Sequence, residues 1–231
     1  METWQKYLPD YQFMLWSEEN SPMNHPFVSS AYAAKKYAFV ADYVRFWALY
    51  NYGGVYLDTD MYVVKCFDPL LDNYFFSAWE IEPKIATTDR TISAISCGAL
   101  GTCALGACAL EAEVKEILNE YDKLVFDESD IEKLIVPRLI TPILLKYMDK
   151  ITIYPKEYFY AFPYEKRIER NFLKYQTPNS YALHLWNISW LPKSVVLKNN
   201  IIQFLKHNKY SKSMYKWLRC QKLKFLDKLT S

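Results

Sequence analysis

The sequence predicts an α/β fold, and three observations carry that prediction. Helical and extended segments alternate through residue 190. The run Tyr37–Asp60 reads in order as a helix, a glycine stop, a short apolar strand and two carboxylates. No internal repeat of solenoid period is visible, and 231 residues with 51% apolar and 17% aromatic content suffice for one sizeable core with a small appendage.

Along Tyr37–Tyr52, Val40, Val44, Trp47 and Ala48 recur at helical spacing, while Asp42 and Arg45, three apart, project from neighbouring points of one face. As charges on the rim of a site they are expected to serve a ligand and to add little to folding. Gly53-Gly54 suits the left-handed turn that ends a helix. Val55-Tyr56-Leu57 then has the β-branched and aromatic character of a buried strand. If the chain stays extended past Leu57, alternation points Asp58 and Asp60 the same way, toward one cation in the crevice where open α/β sheets bind ligands. Two carboxylates suit an octahedral oxygen-seeking ion, Mg²⁺ or Mn²⁺, that keeps waters and grips substrate phosphates. A bare Asp-x-Asp is also compatible with a solvated turn. The density of charge on this rim favours the metal.

Twenty residues between Arg90 and Glu111 lack a charge, yet alanine, glycine, cysteine, serine and threonine make up fifteen of them. That composition favours a buried strand and a small-residue helix start over a membrane span. Glu111–Tyr121 continues as an amphipathic helix. Tyr181–Trp186 alternates like a strand, with His184 read on its own as a core or surface histidine. Residues 193–231 hold nine lysines, one arginine and one aspartate, a net +9 in a chain of net +2. Met214, Trp217, Leu218, Phe225 and Leu229 share a helical stripe there. This basic amphipathic tail reads either as a helix on an anionic membrane surface or as a terminal helix packed on the domain 1–192. It belongs to no nucleic-acid module, so nucleic acid is not an expected partner. Five cysteines form no zinc or redox spacing and read as small thiols in a reducing compartment. With no secretory pattern at Met1, the expected location is cytoplasmic, at most peripheral to the inner membrane face.

The string Asp42-x-x-Arg45-x-x-x-Leu49-Tyr50-x-x-Gly53-Gly54-Val55-Tyr56-Leu57-Asp58-Thr59-Asp60 resembles the signature of the sugar-transferring enzymes with a D-x-D motif, the glycosyltransferase family 32 group. That group includes capsule and lipopolysaccharide transferases and the fungal initiating mannosyltransferase. Trp4–Trp16 resembles the family's second strand, and Tyr154–Phe159 and Thr177–Trp190 resemble its closing segments. The resemblance implies a GT-A fold, a UDP- or GDP-sugar donor, a divalent metal, retention of anomeric configuration and a glycan or lipid-linked acceptor. It places Asp42 and Arg45 at the donor's sugar and ribose end, and Tyr56 and Asp58 at nucleoside or sugar hydroxyls. Asp60, with Asp58, would hold the metal at the catalytic centre. His184 becomes a metal or diphosphate contact, and Ser189 and Trp190 close over the diphosphate.

Two departures stand out. Relatives begin with a strand of the type Pro-Lys-x-Ile-His-x-x-Trp, which is missing here, and they carry an asparagine-containing strand and a Gly-His-Pro turn where this chain has Thr91–Leu110. Other readings are a non-catalytic sugar- or partner-binding descendant, a haloacid-dehalogenase-type phosphatase using Asp58 and Asp60, and a protein-modifying glycosyltransferase. The donor sugar, acceptor and linkage are not encoded in any motif.

Overall fold

The computed structural model describes residues 2–82, 94–102, 112–187 and 197. The segments 103–111, 188–196 and 198–231, with the predicted tail and the site candidates Ser189 and Trp190, lie outside the described residues. One compact unit comprises Met1–Phe162 and Leu173–Leu185. It is mixed α/β, with strands of both orientations in one sheet.

Three helices open this unit: α1 (Glu2–Tyr7), α2 (Pro26–Ala33) and α3 (Tyr37–Tyr52). α2 starts on Pro26, whose fixed φ suits a first helical turn and whose missing N–H costs nothing there. α3 buries Phe39, Tyr43, Val44, Phe46, Ala48 and Leu49, so of the stripe expected from the sequence Val44 and Ala48 are buried while Val40 and Trp47 are only partly so. It stops where Gly53 donates its N–H to the Leu49 carbonyl (2.9 Å). Gly53 and Gly54 sit at φ +68° and +82°, a region costly for any residue with a Cβ. The chain can therefore turn at once into β1 (Val55–Leu57).

The strands after β1 are β2 (Met61–Val63), β3 (Phe75–Ile81), β4 (Ala94–Ile95), β5 (Ala99–Thr102), β6 (Thr152–Tyr154) and β7 (Ala182–His184). β1 pairs antiparallel with β5, β5 antiparallel with β3, and β6 parallel with β3. β4 and β5 run back along β3 in succession, with Ser96–Gly98 looping out between them at a register shift. β2 and β7 form a separate antiparallel pair. Helices α4 (Ala112–Tyr121), α5 (Ile131–Leu134) and α6 (Val136–Leu144) complete the unit. Phe27 of α2, Tyr43 and Phe46 of α3, and Tyr121 of α4 meet in an aromatic core, with each large apolar side chain contributing about 1.5–3 kcal/mol on burial. The Thr141 hydroxyl bonds α6 to β4 by accepting from Ile95 N (2.9 Å).

The residues expected to form a second strand, Trp4–Trp16, depart from that expectation. Glu2–Tyr7 is helix, and Gln12–Trp16 has no strand partner among the described residues. The physical reason lies at the sheet edge: β1 bonds β5 on one side, and its other side borders a cavity of about 840 Å³ reaching across to Tyr11–Trp16. An extended segment with no neighbour to bond stays unpaired. Phe13, Met14 and Leu15 are left exposed.

The remaining described residues, Pro163–Phe172 with Trp186, Asn187 and Leu197, belong to a second compact unit. There the Arg167 guanidinium lies over the Tyr164 ring at 4.3 Å, and Trp186 meets the same ring edge-on. No helix among the described residues is long and apolar enough to cross a membrane.

Candidate functional site

β1 delivers Asp58 to its place. The β1–β5 ladder extends past both ends of the strand, through Thr102 N to Gly54 O (2.9 Å) and Asp58 N to Gly98 O (2.8 Å). Asp58 is thus registered opposite Gly98, where a Cβ would lie 2.9 Å from Asp58 Oδ2 and 3.1 Å from the Tyr160 hydroxyl. A residue without a side chain gives the carboxylate its room. The Ser96–Gly98 loop is held from the other side, since Tyr160 Oη accepts from Gly98 N (3.1 Å) and Ala99 N (3.2 Å).

The chain does not stay extended from Asp58 to Asp60. It turns, with Met61 N donating to Asp58 O (3.0 Å), before β2 begins. The two carboxylates therefore converge through a turn rather than through strand alternation. β2 then pairs with β7, setting Met61 opposite His184, and Leu185 N bonds Asp60 O (3.0 Å). This pairing brings His184 Nε2 to 3.2 Å from Asp60 Oδ1. Ligand-capable atoms of Asp58, Asp60 and His184 all lie within 4.8 Å of one another. Two carboxylate oxygens and an imidazole nitrogen fit Mn²⁺ or Mg²⁺, with coordination positions left for water and phosphate.

Behind this trio sits Arg45, only 4% exposed. Its Nη2 donates to Asp42 Oδ1 (2.6 Å) and its Nη1 to the Cys97 carbonyl (2.6 Å). Nη1 also lies 3.3 Å from Asp58 Oδ1, which accepts from the Tyr56 hydroxyl (2.8 Å). The guanidinium stacks over the Tyr56 ring at 4.8 Å. The expectation of rim charges that add little to folding is thereby corrected: Arg45 is interior and fixes the Ser96–Gly98 loop and Asp58 together. Asp42 is nearly as enclosed.

Burial pushes the Asp42 carboxyl up to about 7, and the nearby Asp58 charge adds to the effect against the pull of Arg45. Burial would lower Arg45, but Asp58, Cys97, Tyr56 and Asp42 together hold it well above its ordinary value. The Tyr56 hydroxyl is raised by burial and by Asp58, so it stays protonated as the donor to that carboxylate. Burial also raises the Cys97 thiol, which is not a nucleophile here. Cys66 and Cys97 are free thiols, while Cys103, Cys108 and Cys220 lie outside the described residues.

Of the residues singled out from sequence, Asp42, Arg45, Tyr56, Asp58, Asp60 and His184 come together. Ser189 and Trp190 are outside the described residues. Sequence reasoning missed the Cys97 carbonyl, Gly98 and Tyr160. Each enters through strand register or main-chain geometry, and only Gly98, a small residue in a charge-free strand, carried a signal. Glu80, near the C-terminal end of β3, is raised by burial and opposed by the charge of His184.

Residues 1–77 match the family described as glycosyltransferase sugar-binding region containing DXD motif. The chain is 37% identical over 76 residues to inositol phosphoceramide mannosyltransferase 3 of Schizosaccharomyces pombe, covering 31% of this chain and 20% of that protein. It is 38% identical over 82 residues to inositol phosphoceramide mannosyltransferase 1 of the same yeast, covering 32% of this chain and 24% of that protein. The similarity therefore spans no more than about a quarter of either relative, and the family match takes in α3, β1 and the carboxylates of the site. The Asp58-x-Asp60 site thus lies inside the stretch that is similar to the sugar-binding region of the DXD-containing glycosyltransferases.

Proposed function

We propose that this protein transfers a hexosyl group from a UDP- or GDP-sugar to a glycan or lipid-linked acceptor, in a reaction that depends on Mn²⁺ or Mg²⁺. The observation that carries this reading is the convergence of Asp58, Asp60 and His184 within 4.8 Å at the end of β1, backed by the interior Arg45. Asp60, Asp58 and His184 would hold the ion, which when bound neutralises the charge of a departing nucleoside diphosphate. The protein's own residues align and enclose the donor. Arg45 fixes Asp58 from behind, and Tyr56 holds its oxygen. Gly98 leaves space before it, and Asp42, within α3, accepts from the Arg45 guanidinium. Alignment and exclusion of water supply much of the rate in such transfers, where the sugar carbon becomes oxocarbenium-like.

The mannosyltransferase names of the two relatives favour a mannosyl donor, with glucose, galactose and N-acetylhexosamine donors as alternatives. Retention of configuration, roles for Ser189 and Trp190 over the diphosphate, a GT-A fold, and work in capsule or lipopolysaccharide synthesis belong to this proposal. Among the described residues β1 pairs with β5 alone and borders the cavity of about 840 Å³. The same cavity reaches Trp16, Ala41 and Tyr56, so its inner end supports a nucleoside site. Residues 1–192 would form the catalytic domain. The +9 charge of residues 193–231 supports attachment at an anionic, inner membrane face. A thermal-shift panel of UDP- and GDP-sugars with and without Mn²⁺ tests the function. Stabilisation by one nucleotide sugar only when Mn²⁺ is present is the expected result, and no shift with any of them would overturn it.

A further inference from the structure

Arg167, in the second unit, is a cation that uses only part of its hydrogen-bonding capacity. A 3₁₀ turn, Tyr164–Lys166, ends on it, and both its main-chain N (3.2 Å) and its Nη1 (3.2 Å) donate to the Tyr164 carbonyl. The guanidinium carbon lies 4.3 Å from the centre of the Tyr164 ring. Trp186, at φ +59°, meets that ring edge-on at 5.5 Å between centroids. The side chain is therefore folded back on its own turn and fixed there by a hydrogen bond and a cation–π contact. Its other edge is different. Nε and Nη2 are both shielded from solvent, and neither has a hydrogen-bond partner. Among the described residues no carboxylate pairs with Arg167, while Glu169 pairs with Lys166 (3.2 Å).

Which two donors are left over decides what they suit. Nε–H and Nη2–H lie parallel on one side of the planar guanidinium, the edge that takes two oxygens of a carboxylate or phosphate at once. Charged donors kept from water without an acceptor are costly, and a neutral acceptor would leave the charge unbalanced. An oxyanion answers both. Lys166, Arg167 and Arg170 outnumber Glu165 and Glu169 in this segment, which favours the more highly charged phosphate over a carboxylate. We propose that Arg167 binds a phosphate group side-on through Nε–H and Nη2–H, at a site that uses no residue of the Asp58, Asp60 and His184 trio. Because both donors are covered, the phosphate enters by local opening of this unit.

The test uses the full chain with isotope-labelled arginine, in metal-free buffer at fixed ionic strength, so that no ion at the trio contributes. The Nε–H resonance of Arg167 is identified by its absence from the spectrum of Arg167→Lys. Titration with inorganic phosphate should shift that resonance saturably. In calorimetry Arg167→Lys should raise the phosphate Kd at least tenfold, since an ammonium keeps the charge but loses the paired edge. UDP and glycerol phosphate, titrated in the same way, separate a nucleotide from a lipid headgroup as the source, and tighter binding of either supports the site. An Arg167 Nε–H that ignores all three, or responds equally to chloride, would overturn the proposal. So would an Arg167→Lys protein that binds phosphate as wild type does. If Arg167→Lys fails to fold, the wild-type titration decides alone, and no arginine Nε–H shifting saturably with phosphate would overturn it. None of these outcomes involves Mn²⁺, so failure here leaves the glycosyltransferase reading standing.

Discussion

Arg45 Nη1 stands 3.3 Å from Asp58 Oδ1 while donating to the Cys97 carbonyl at 2.6 Å. One guanidinium thus joins α3, the end of β1 and the loop between β4 and β5. The first carboxylate of the D-x-D motif is held by an interior ion pair as well as by its strand.

Arg45→Ala is expected to destabilise the fold by about 3–5 kcal/mol, because it leaves enclosed carboxylates without their counter-charge. Arg45→Lys should cost less stability yet still impair the site, since an ammonium cannot serve Asp42, Cys97 O and Asp58 together in the planar fork. Urea denaturation of both variants, alongside Mn²⁺ binding, checks this. Wild-type stability in Arg45→Ala would show the network to be superficial.

Gly98→Ala tests the room given to Asp58. The added Cβ would sit 2.9 Å from Asp58 Oδ2 and 3.1 Å from Tyr160 Oη, so one of them must move. A cost of about 1–3 kcal/mol in stability is expected, with at least a tenfold rise in the Kd for Mn²⁺. Unchanged metal affinity in a well-folded Gly98→Ala would place the ion elsewhere.

A pH effect follows from Asp42. Its folded-state value of about 7 lies above the ordinary 3.8, so the folded protein holds this proton more tightly than the unfolded chain. The corresponding stability is present below about pH 4 and is lost as pH rises toward and through about 7. Denaturation of wild type and Asp42→Asn at several pH values should show wild type losing stability relative to the variant across that window. A relative gain with rising pH would mean that Arg45 dominates and the carboxyl is depressed.

The basic tail gives an independent test. Each Lys or Arg near an anionic leaflet is worth about 1 kcal/mol, so removing residues 193–231 should release the protein from phosphatidylserine vesicles in a sedimentation assay. Raised salt should do the same for the full chain. Equal pelleting with and without the tail would assign any membrane contact to another surface.

The part of the site that was legible in the sequence is the part built from local rules. Helical spacing placed Asp42 beside Arg45, and Gly53-Gly54 marked the turn into β1. What stayed hidden depends on long-range register. Nothing near Tyr160 shows that its hydroxyl holds the loop before β5. His184 was ambiguous alone because its partner Asp60 is reached only through the β2–β7 pairing. The burial of Arg45 was missed for a related reason. A helix face gives direction, but whether it meets solvent depends on the strands packed over it.

The most direct test of the central claim is Mn²⁺ binding by the purified chain, measured by electron paramagnetic resonance with and without UDP or GDP, for wild type and Asp60→Asn. The account predicts one bound ion in wild type, tightened by the nucleoside diphosphate. In Asp60→Asn it predicts loss of most of that binding with an intact fold, since one of two ligating carboxylates has lost its charge. Wild-type Mn²⁺ affinity in a folded Asp60→Asn protein would contradict it.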